Sequence, residues 1–420
     1  MDVLHERCAG VDVSKIDCKV AIRIPGKGVR PHREVRTFSA MTDDLLALRD
    51  WLVDNGITVV GMEATGAYWK PLYYLLEATD GIEPWLLNAQ HMKAVPGRKT
   101  DVKDSQWICR LVEHGLVRPS FVPPREIRQL RDLTRYRTET VRDRARDVNR
   151  LNTFLEDAGI KLSTVVSDIT GTSARRMLDA LVAGERDPEV LSELALGAMR
   201  GKIPVLNRAL AGHFTEHHAF VVDTMLTALD HAQERIESLG REIDRQLEPF
   251  RRQIELLVTI PGVGLAAAQV ILAEIGTDMS RFPTAGHLAS WAGMCPGNHE
   301  SAGRRRRGTT RPGDVWLKGA LGIVALSASR TKGTYLAGRY RRLIGHLGRN
   351  RTMVAIGHSV LIAAWHMLGS DTPYRDLGPE HFTERLGKAR QTRRLVAQLA
   401  ALGYDVDLHA KPTTTVASPG

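Results

Sequence analysis

The first ninety or so residues constrain the fold more than any other stretch. Cys8-Ala-Gly-Val-Asp-Val-Ser and Cys18-Lys-Val-Ala-Ile-Arg-Ile are two short alternating runs split by a polar turn, and Pro25-Gly-Lys-Gly closes the pair. Glu34 to Ser39 alternates as a third strand. Thr42-Asp-Asp-Leu then opens a helix with a capping residue and early acids, running to about Asp54. Asn55-Gly turns into a β-branched strand, Ile57-Thr-Val-Val-Gly-Met-Glu, followed by a helix from Tyr68 to Ala78 and a strand around Trp85-Leu-Leu. Three strands in a row, then alternation with helices, predict a mixed α/β domain built in layers.

Carboxylates sit at telling places in that pattern. Asp12 lies between Val11 and Val13, so strand alternation points it away from their face. Glu63 ends its strand on the face opposite Val60 and Met62. Further on, Arg98-Lys-Thr-Asp-Val-Lys-Asp-Ser places Asp101 and Asp104 three residues apart at the start of a helical pattern, on one face with Cβ atoms about 5–6 Å apart. Ile108, Leu111 and Val112 give that helix an apolar side to bury. Acids crowded above an apolar stripe resist joint ionisation unless a cation lies between them. Hard divalent cations such as Mg²⁺ take oxygen ligands of this kind, and a pair of ions could clamp a phosphodiester for in-line displacement. The plain alternative is a solvated first turn, since acids favour helix N-termini.

From Pro123-Pro-Arg the character changes. Arg125 to Leu155 has a helical stripe of Ile127, Leu130, Val141, Val148 and Leu155, with Arg128, Arg131, Arg135, Arg142, Arg144 and Arg146 on the other faces. Two readings stand side by side. The arginines track phosphates, or they line a solvated charged face partly neutralised by Asp132, Glu139, Asp143 and Asp147. Residues 160–212 are weakly patterned, with Gly171, Gly184 and Gly201 as breakers. His213 to Phe250 forms a second long helix, and the two could pair as an antiparallel or intermolecular coiled coil.

The last third is helical with two interruptions. Ile260-Pro-Gly-Val-Gly between helices resembles a helix-hairpin-helix module, whose glycines (here Gly262 and Gly264) let backbone amides approach a DNA phosphate; a tight structural turn needs the same glycines. Ser301 lies in a glycine-rich basic loop with Arg304, Arg305, Arg306 and Arg307. A serine there can attack a phosphodiester while the arginines neutralise charge, or the loop simply grips a backbone. Apolar helices follow over Val315–Ser329 and Thr352–Leu368, with arginines between them, and the pattern fades after about Ser370.

A formal charge of +10 over 420 residues points to a polyanionic partner. The chain does not begin with the basic and apolar regions of a secretory signal, and Met353–Leu368 is too short and carries too many histidines (His358, His366) to be read as a membrane span. Cys8, Cys18, Cys109 and Cys295 have no metal-ligand spacing and read as free thiols of a reducing cytoplasm.

Taken together, Gly10-Val-Asp-Val-Ser-Lys, Met62-Glu-Ala-Thr-Gly-Ala-Tyr-Trp and Arg98-Lys-Thr-Asp-Val-Lys-Asp resemble the three acidic motifs of the DEDD insertion-sequence transposases, the IS one-ten family. Ile260-Pro-Gly-Val-Gly and Pro296-Gly-Asn-His-Glu-Ser-Ala-Gly resemble its C-terminal half, so the ordered set spans about residues 7–368. The resemblance implies that Asp12, Glu63, Asp101 and Asp104 form the Mg²⁺ (or Mn²⁺) site of a RuvC-like, RNase H-type domain, and that Ser301 attacks DNA to form a transient phosphoserine link. It also implies a composite active site in a homo-oligomer, dimer or tetramer, and a bridge RNA that pairs with donor and target DNA. Two positions depart from the family's pattern: Ala302 intervenes between Ser301 and Gly303, and Lys318 stands where relatives commonly carry arginine.

The expected organisation is a RuvC-like α/β domain over 1–122, an arginine-rich helical region over 123–250, a helix-hairpin-helix transposase domain with the serine loop over 251–372, and a partly disordered tail over 373–420. Arg128, Arg135 and Arg142 are expected on nucleic acid, as are Gly262, Gly264 and Arg304 to Arg307. The expected activity is recombination that excises and inserts the element, in the bacterial cytoplasm at the nucleoid and not at a membrane. The same acids would equally serve a RuvC-like nuclease that activates water, and a third reading leaves them only ordering the fold of a non-catalytic nucleic-acid-binding protein.

Overall fold

The computed structural model describes residues 2–26, 30–64, 66–88, 92, 104–296, 300–301, 304–305, 310, 312–381 and 388–409. It divides into two compact units, Met1–Val122 and Pro123–Gly420.

The first unit is a five-stranded mixed sheet with helices on both faces. Its strands are β1 (Cys8–Val13), β2 (Asp17–Ile24), β3 (His32–Ser39), β4 (Val59–Glu63) and β5 (Glu83–Leu87), in spatial order β3-β2-β1-β4-β5. The β1–β2 and β2–β3 pairs are antiparallel, and β1–β4 and β4–β5 are parallel. The parallel strands need crossovers, which α1 (Thr42–Asp54) and α2 (Trp69–Glu77) provide. Helix α1 starts one residue differently from the sequence reading: Met41 precedes it with no side-chain cap, and Thr42 is already helical. One face of the sheet packs Ala9, Val11, Val20, Ile22, Val60 and Met62 against α1 and α2, with Leu48, Leu52, Leu72 and Leu76.

The other face carries α3 (Asp104–Glu113), which buries Ile108, Leu111 and Val112 as its spacing predicts. This helix lies directly on β1. A Cβ added at Gly10 would fall 2.2 Å from the Cys109 backbone nitrogen and 2.4 Å from the Ser105 carbonyl, so only glycine allows so close an approach. Beneath it Cys8 Sγ and Cys109 Sγ are 3.9 Å apart as buried free thiols. The far end is locked by Glu113, which accepts from Arg23 Nε at 3.1 Å and Arg33 Nη2 at 2.9 Å, while its carbonyl accepts from the Leu4 and His5 amides.

The second unit is helical. Helix α4 (Arg125–Asp157) and helix α8 (Glu216–Gln246) lie against each other within the one chain. They run antiparallel: Phe154 near the end of α4 stacks on His218 at the start of α8, at 5.5 Å. Their tips share a core with α5 (Thr172–Val182), α6 (Pro188–Glu193) and α7 (Ile203–Leu210), in which Leu151, Leu155, Met177, Leu191, Leu206, Val222 and Leu226 are buried. The weakly patterned stretch is thus a helical cap on the long pair. Val141, expected on the apolar stripe, is 48% exposed, and Thr134 and Thr140 are buried in its stead. Their hydroxyls donate back to the carbonyls of Arg131 and Tyr136, which lets polar side chains occupy the inner face.

Beyond these come α9 (Arg251–Val258), α10 (Leu265–Ile275), α11 (Ala285–Trp291), α12 (Val315–Arg330), α13 (Tyr335–Ser370) and α14 (Lys388–Ala401). Helix α14 lies in the tail where no pattern was legible. Helix α13 is two helices meeting at Gly348, whose backbone is left-handed (φ 71°). It is long and apolar enough to cross a membrane by length and composition. Its second half, however, packs on α11 and α12 with Ile356, Val360, Leu361 and Ala364 fully buried, as the core helix of a folded domain does.

Candidate active site

Three of the four acids come to one end and one face of the sheet. In β1, Asp12 is two residues beyond Gly10 and so shares its face, the one covered by α3. The parallel register pairs Gly10 with Gly61 and Val11 with Met62, so the next step sets Asp12 level with Glu63, the last residue of β4. Adjacent strands lie about 4.8 Å apart. Helix α3 runs opposite to β1: its end at Glu113 is bonded to the chain before β1, so its start at Asp104 lies toward the Asp12 end. Asp12, Glu63 and Asp104 are all half-buried. Asp104 opens its helix, where the macrodipole favours a carboxylate. Asp101 lies outside the described residues.

The Cys18 thiol is pushed up to about 11, first by burial and then by the charges of Asp17 and Asp12. The donor set is all oxygen, which suits Mg²⁺ or Mn²⁺ and not softer ions. Among the described residues no three His, Cys, Asp or Glu side chains stand close enough together to hold an ion. Asp12, Glu63 and Asp104 share an end and a face of the sheet without forming such a group.

The segment carrying Ser301 joins α11 to α12. It is a small hairpin, not an open loop: β6 (Glu300–Ser301) pairs antiparallel with β7 (Arg304–Arg305), so Ser301 lies opposite Arg304 in the backbone register. Arg306 and Arg307 lie outside the described residues. The neck of this segment is closed twice, by a bridge between Pro296 and Thr310 and by Gly313, whose Cα sits so close to Ala292 that a Cβ would meet its carbonyl at 2.4 Å.

Immediately after the neck, Asp314 ties the segment to distant parts of the unit. One carboxylate oxygen accepts from the Leu317 amide at 2.7 Å and caps α12; the other accepts from Arg135 Nη2 at 3.0 Å. Arg135 also donates twice to Glu274, from Nε at 2.7 Å and Nη2 at 2.8 Å. Arg131 is 3.0 Å from the same carboxylate and donates to the backbone carbonyls of Ala273 and Glu274. The Glu274 side chain is wholly buried. Burial pushes its carboxyl up and pulls the Arg131 guanidinium down. Burial works against Arg135 as well, but its hydrogen bonds to Glu274 and that residue's charge prevail, so Arg135 rises. Trp316 then receives Arg135 and Arg142 on its ring at 5.7 and 5.2 Å.

This cluster revises the sequence reading of the arginine-rich helix. Arg135 is committed to an internal ion pair linking α4, α10 and α12. Arg142 leans on Trp316 and pairs with Glu139, and Arg128 donates to the Pro123 carbonyl at 2.8 Å. The signals for Glu274 and Asp314 were weak but present: one is an acid at the end of an alanine-rich apolar helix, the other an aspartate just before Val-Trp-Leu, where a cap belongs.

The two hairpin glycines also separate. Gly262 has φ +90°, and a Cβ there would meet the Ala328 backbone nitrogen at 2.5 Å, so it is turned into α12. Gly264 precedes α10, is exposed and has nothing within 4 Å. Only Gly264 leaves the backbone open to a ligand.

The chain is similar to known proteins on both sides of this architecture. Residues 9–160 match a family model described as a transposase, of the DEDD IS110 type, and residues 254–341 match one described as a transposase of the IS116/IS110/IS902 family. A Sinorhizobium fredii protein whose name describes it as a transposase, y4pF/y4sB, is 26% identical over 334 residues, covering 76% of this chain and 74% of its own length. The insertion element IS116 44.8 kDa protein of Streptomyces clavuligerus is 29% identical over 266 residues, covering 54% of this chain and 62% of its own. The insertion element IS110 43.6 kDa protein of Streptomyces coelicolor is 35% identical over 119 residues, 26% of this chain and 29% of its own. The two matched segments hold the acids and the hairpin respectively, and the chain belongs to the IS116/IS110/IS902 family of insertion-sequence transposases, enzymes that cut DNA.

Proposed function

We propose that this transposase excises and inserts its element by a divalent-metal acid site, Asp12, Glu63, Asp101 and Asp104, acting with Ser301 as nucleophile. The observation that carries this reading is the placement of Asp12, Glu63 and Asp104 at one end and one face of the sheet, from two strands and a helix far apart in sequence. The strand order β3-β2-β1-β4-β5 supports a RuvC-like identity for this unit. When bound, the metal would polarise the scissile phosphate and neutralise the departing oxygen. The chain's own part is to set the carboxylates of Asp12, Glu63 and Asp104 at one end of the sheet. At the hairpin, the Ser301 oxygen bonds to phosphorus as one bridging P–O bond breaks; the serine gives up its proton, the departing deoxyribose oxygen takes one, and the resulting hydroxyl is retained for rejoining. Arg304 to Arg307 supply positive charge to the crowded phosphate.

The domain limits, the composite site in a dimer or tetramer, the pairing of a bridge RNA with donor and target DNA, and a place in the cytoplasm at the nucleoid belong to the same reading. The resemblance of Gly10-Val-Asp-Val, Met62-Glu-Ala-Thr-Gly and Pro296-Gly-Asn-His-Glu-Ser to the family supports them.

Strand cleavage of DNA carrying the element's ends tests the acids. Cleavage should require Mg²⁺ or Mn²⁺, stop on chelation, and fall at least about 100-fold in Asp12→Asn, Glu63→Gln and Asp104→Asn, as removing a group that stabilises transition-state charge does. Wild-type cleavage by Asp104→Asn, or by chelated protein, would remove the acid site from the mechanism.

A further inference from the structure

The elbow of α13 is a strongly basic surface that the acid site and the serine hairpin leave unused. Residues 341–351 read Arg-Arg-Leu-Ile-Gly-His-Leu-Gly-Arg-Asn-Arg, and every one except Leu343 is exposed. The chain turns at Gly348 through a left-handed backbone, which breaks the helix and leaves this segment outside the packed core. Between Asp314 and Asp371 the sequence has no Asp or Glu at all. Among the described residues, Arg341, Arg349 and Arg351 are exposed and form no ion pair with a carboxylate. The arginines of the other long helix behave differently: Arg142, Arg146 and Arg150 each pair with an acid three residues earlier.

Two apolar side chains stand among these cations. Ile344 and Leu347 are each 38% exposed and, three residues apart, share one side of the helix. From Arg341 to Leu347 the helix rises about 9 Å, and Arg349 follows directly after the turn at Gly348, so the guanidiniums address neighbouring phosphates of one site. Fixed cations with no internal partner, flanking small apolar contacts, suit a polyanion with sugar edges between its charges. Duplex DNA is such a polyanion, and the chain's family acts on it.

We propose that the α13 elbow is a DNA-backbone site. Arg341, Arg349 and Arg351 take phosphates, and Ile344 and Leu347 rest on the deoxyribose edge. The site positions the duplex through its phosphates, contacts that carry no sequence information. It does not depend on whether Ser301 or water is the nucleophile.

The test uses the full chain without divalent metal, so that binding is measured apart from cleavage. Anisotropy of a labelled duplex of arbitrary sequence is followed across a salt series for wild type and for Arg341→Gln/Arg349→Gln/Arg351→Gln. The expected result is affinity lower by at least about 10-fold near 0.1 M salt, and a log–log salt slope shallower by about 2–3, close to one per lost phosphate contact. The thermal midpoint should not change, since all three side chains are in solvent. If the triple variant does not fold, Arg349→Gln alone should flatten the slope by about 1, and Arg349→Lys should keep it. Unchanged affinity and slope would overturn the proposal. Loss of single-stranded RNA binding with duplex DNA binding intact would overturn it in favour of an RNA contact. Loss of binding to anionic phospholipid vesicles alone would do so in favour of a lipid surface.

Discussion

Two arginine-rich helices look alike in composition and differ in company. On α4 the cations have partners: Arg131 and Arg135 are folded inward on Glu274 and Asp314, Arg144 donates to Thr170, and Arg150 pairs with Asp147 at 2.7 Å. On the α13 elbow Arg341, Arg349 and Arg351 have no acid within the same 56-residue neutral-to-basic stretch, residues 315–370. The difference teaches that arginine count does not mark a nucleic-acid surface. A guanidinium already satisfied by a carboxylate gains little from a phosphate, whereas one held in solvent gains counterion release.

The comparison breaks most decisively at Glu274. Glu274→Leu leaves Arg131 buried without its counter-charge and cuts the ion pairs that tie α4 to α10, leaving Arg135 only its bond to Asp314. Unfolding by denaturant should show a loss of about 3–5 kcal/mol, the usual cost of stripping one partner from a buried pair. A loss below about 1 kcal/mol would mean that the cluster holds nothing together and that Arg135 is available to ligand after all. The smallest effect is expected at Arg150, an exposed cation with an exposed partner. Arg150→Gln should change stability by no more than about 0.5 kcal/mol and leave the salt slope of DNA binding nearly as steep as in wild type. A slope change as large as that of Arg349→Gln would erase the distinction between the two helices.

How much was legible in the sequence follows from the range of the interactions. Strand alternation alone placed Asp12 and Glu63 on the face away from Val11, Val13, Val60 and Met62, and that is the face α3 covers. The spacing of Ile108, Leu111 and Val112 likewise gave the buried side of α3. Such patterns are local, set by the period of one element. The Arg135 cluster was not legible as a cluster, because its members lie 139 and 179 residues apart and the local signals at Glu274 and Asp314 do not name their partner. Val141 failed for the opposite reason. A stripe that steps in sevens, as Val141, Val148 and Leu155 do, drifts about 20° per heptad along a 33-residue helix, and Thr134 and Thr140 fill inner positions by bonding to their own backbone. The glycines of Pro261-Gly-Val-Gly satisfied two physical explanations at once, and only the approach of Ala328 to Gly262 separates them. The hairpin at Ser301 has strands of two residues, too short for any periodicity to declare.

The most direct test of the central claim, that the acid end of the sheet and the serine hairpin form one chemistry, is a covalent-adduct measurement. Purified protein with its co-purifying RNA retained is mixed with labelled DNA spanning the element's ends and Mg²⁺, denatured, and separated by mass. The account predicts labelled DNA attached to the protein, lost in Ser301→Ala and lost in Asp104→Ala. Metal-dependent cleavage that leaves no adduct and survives Ser301→Ala would contradict it, and would assign the acids to activation of water.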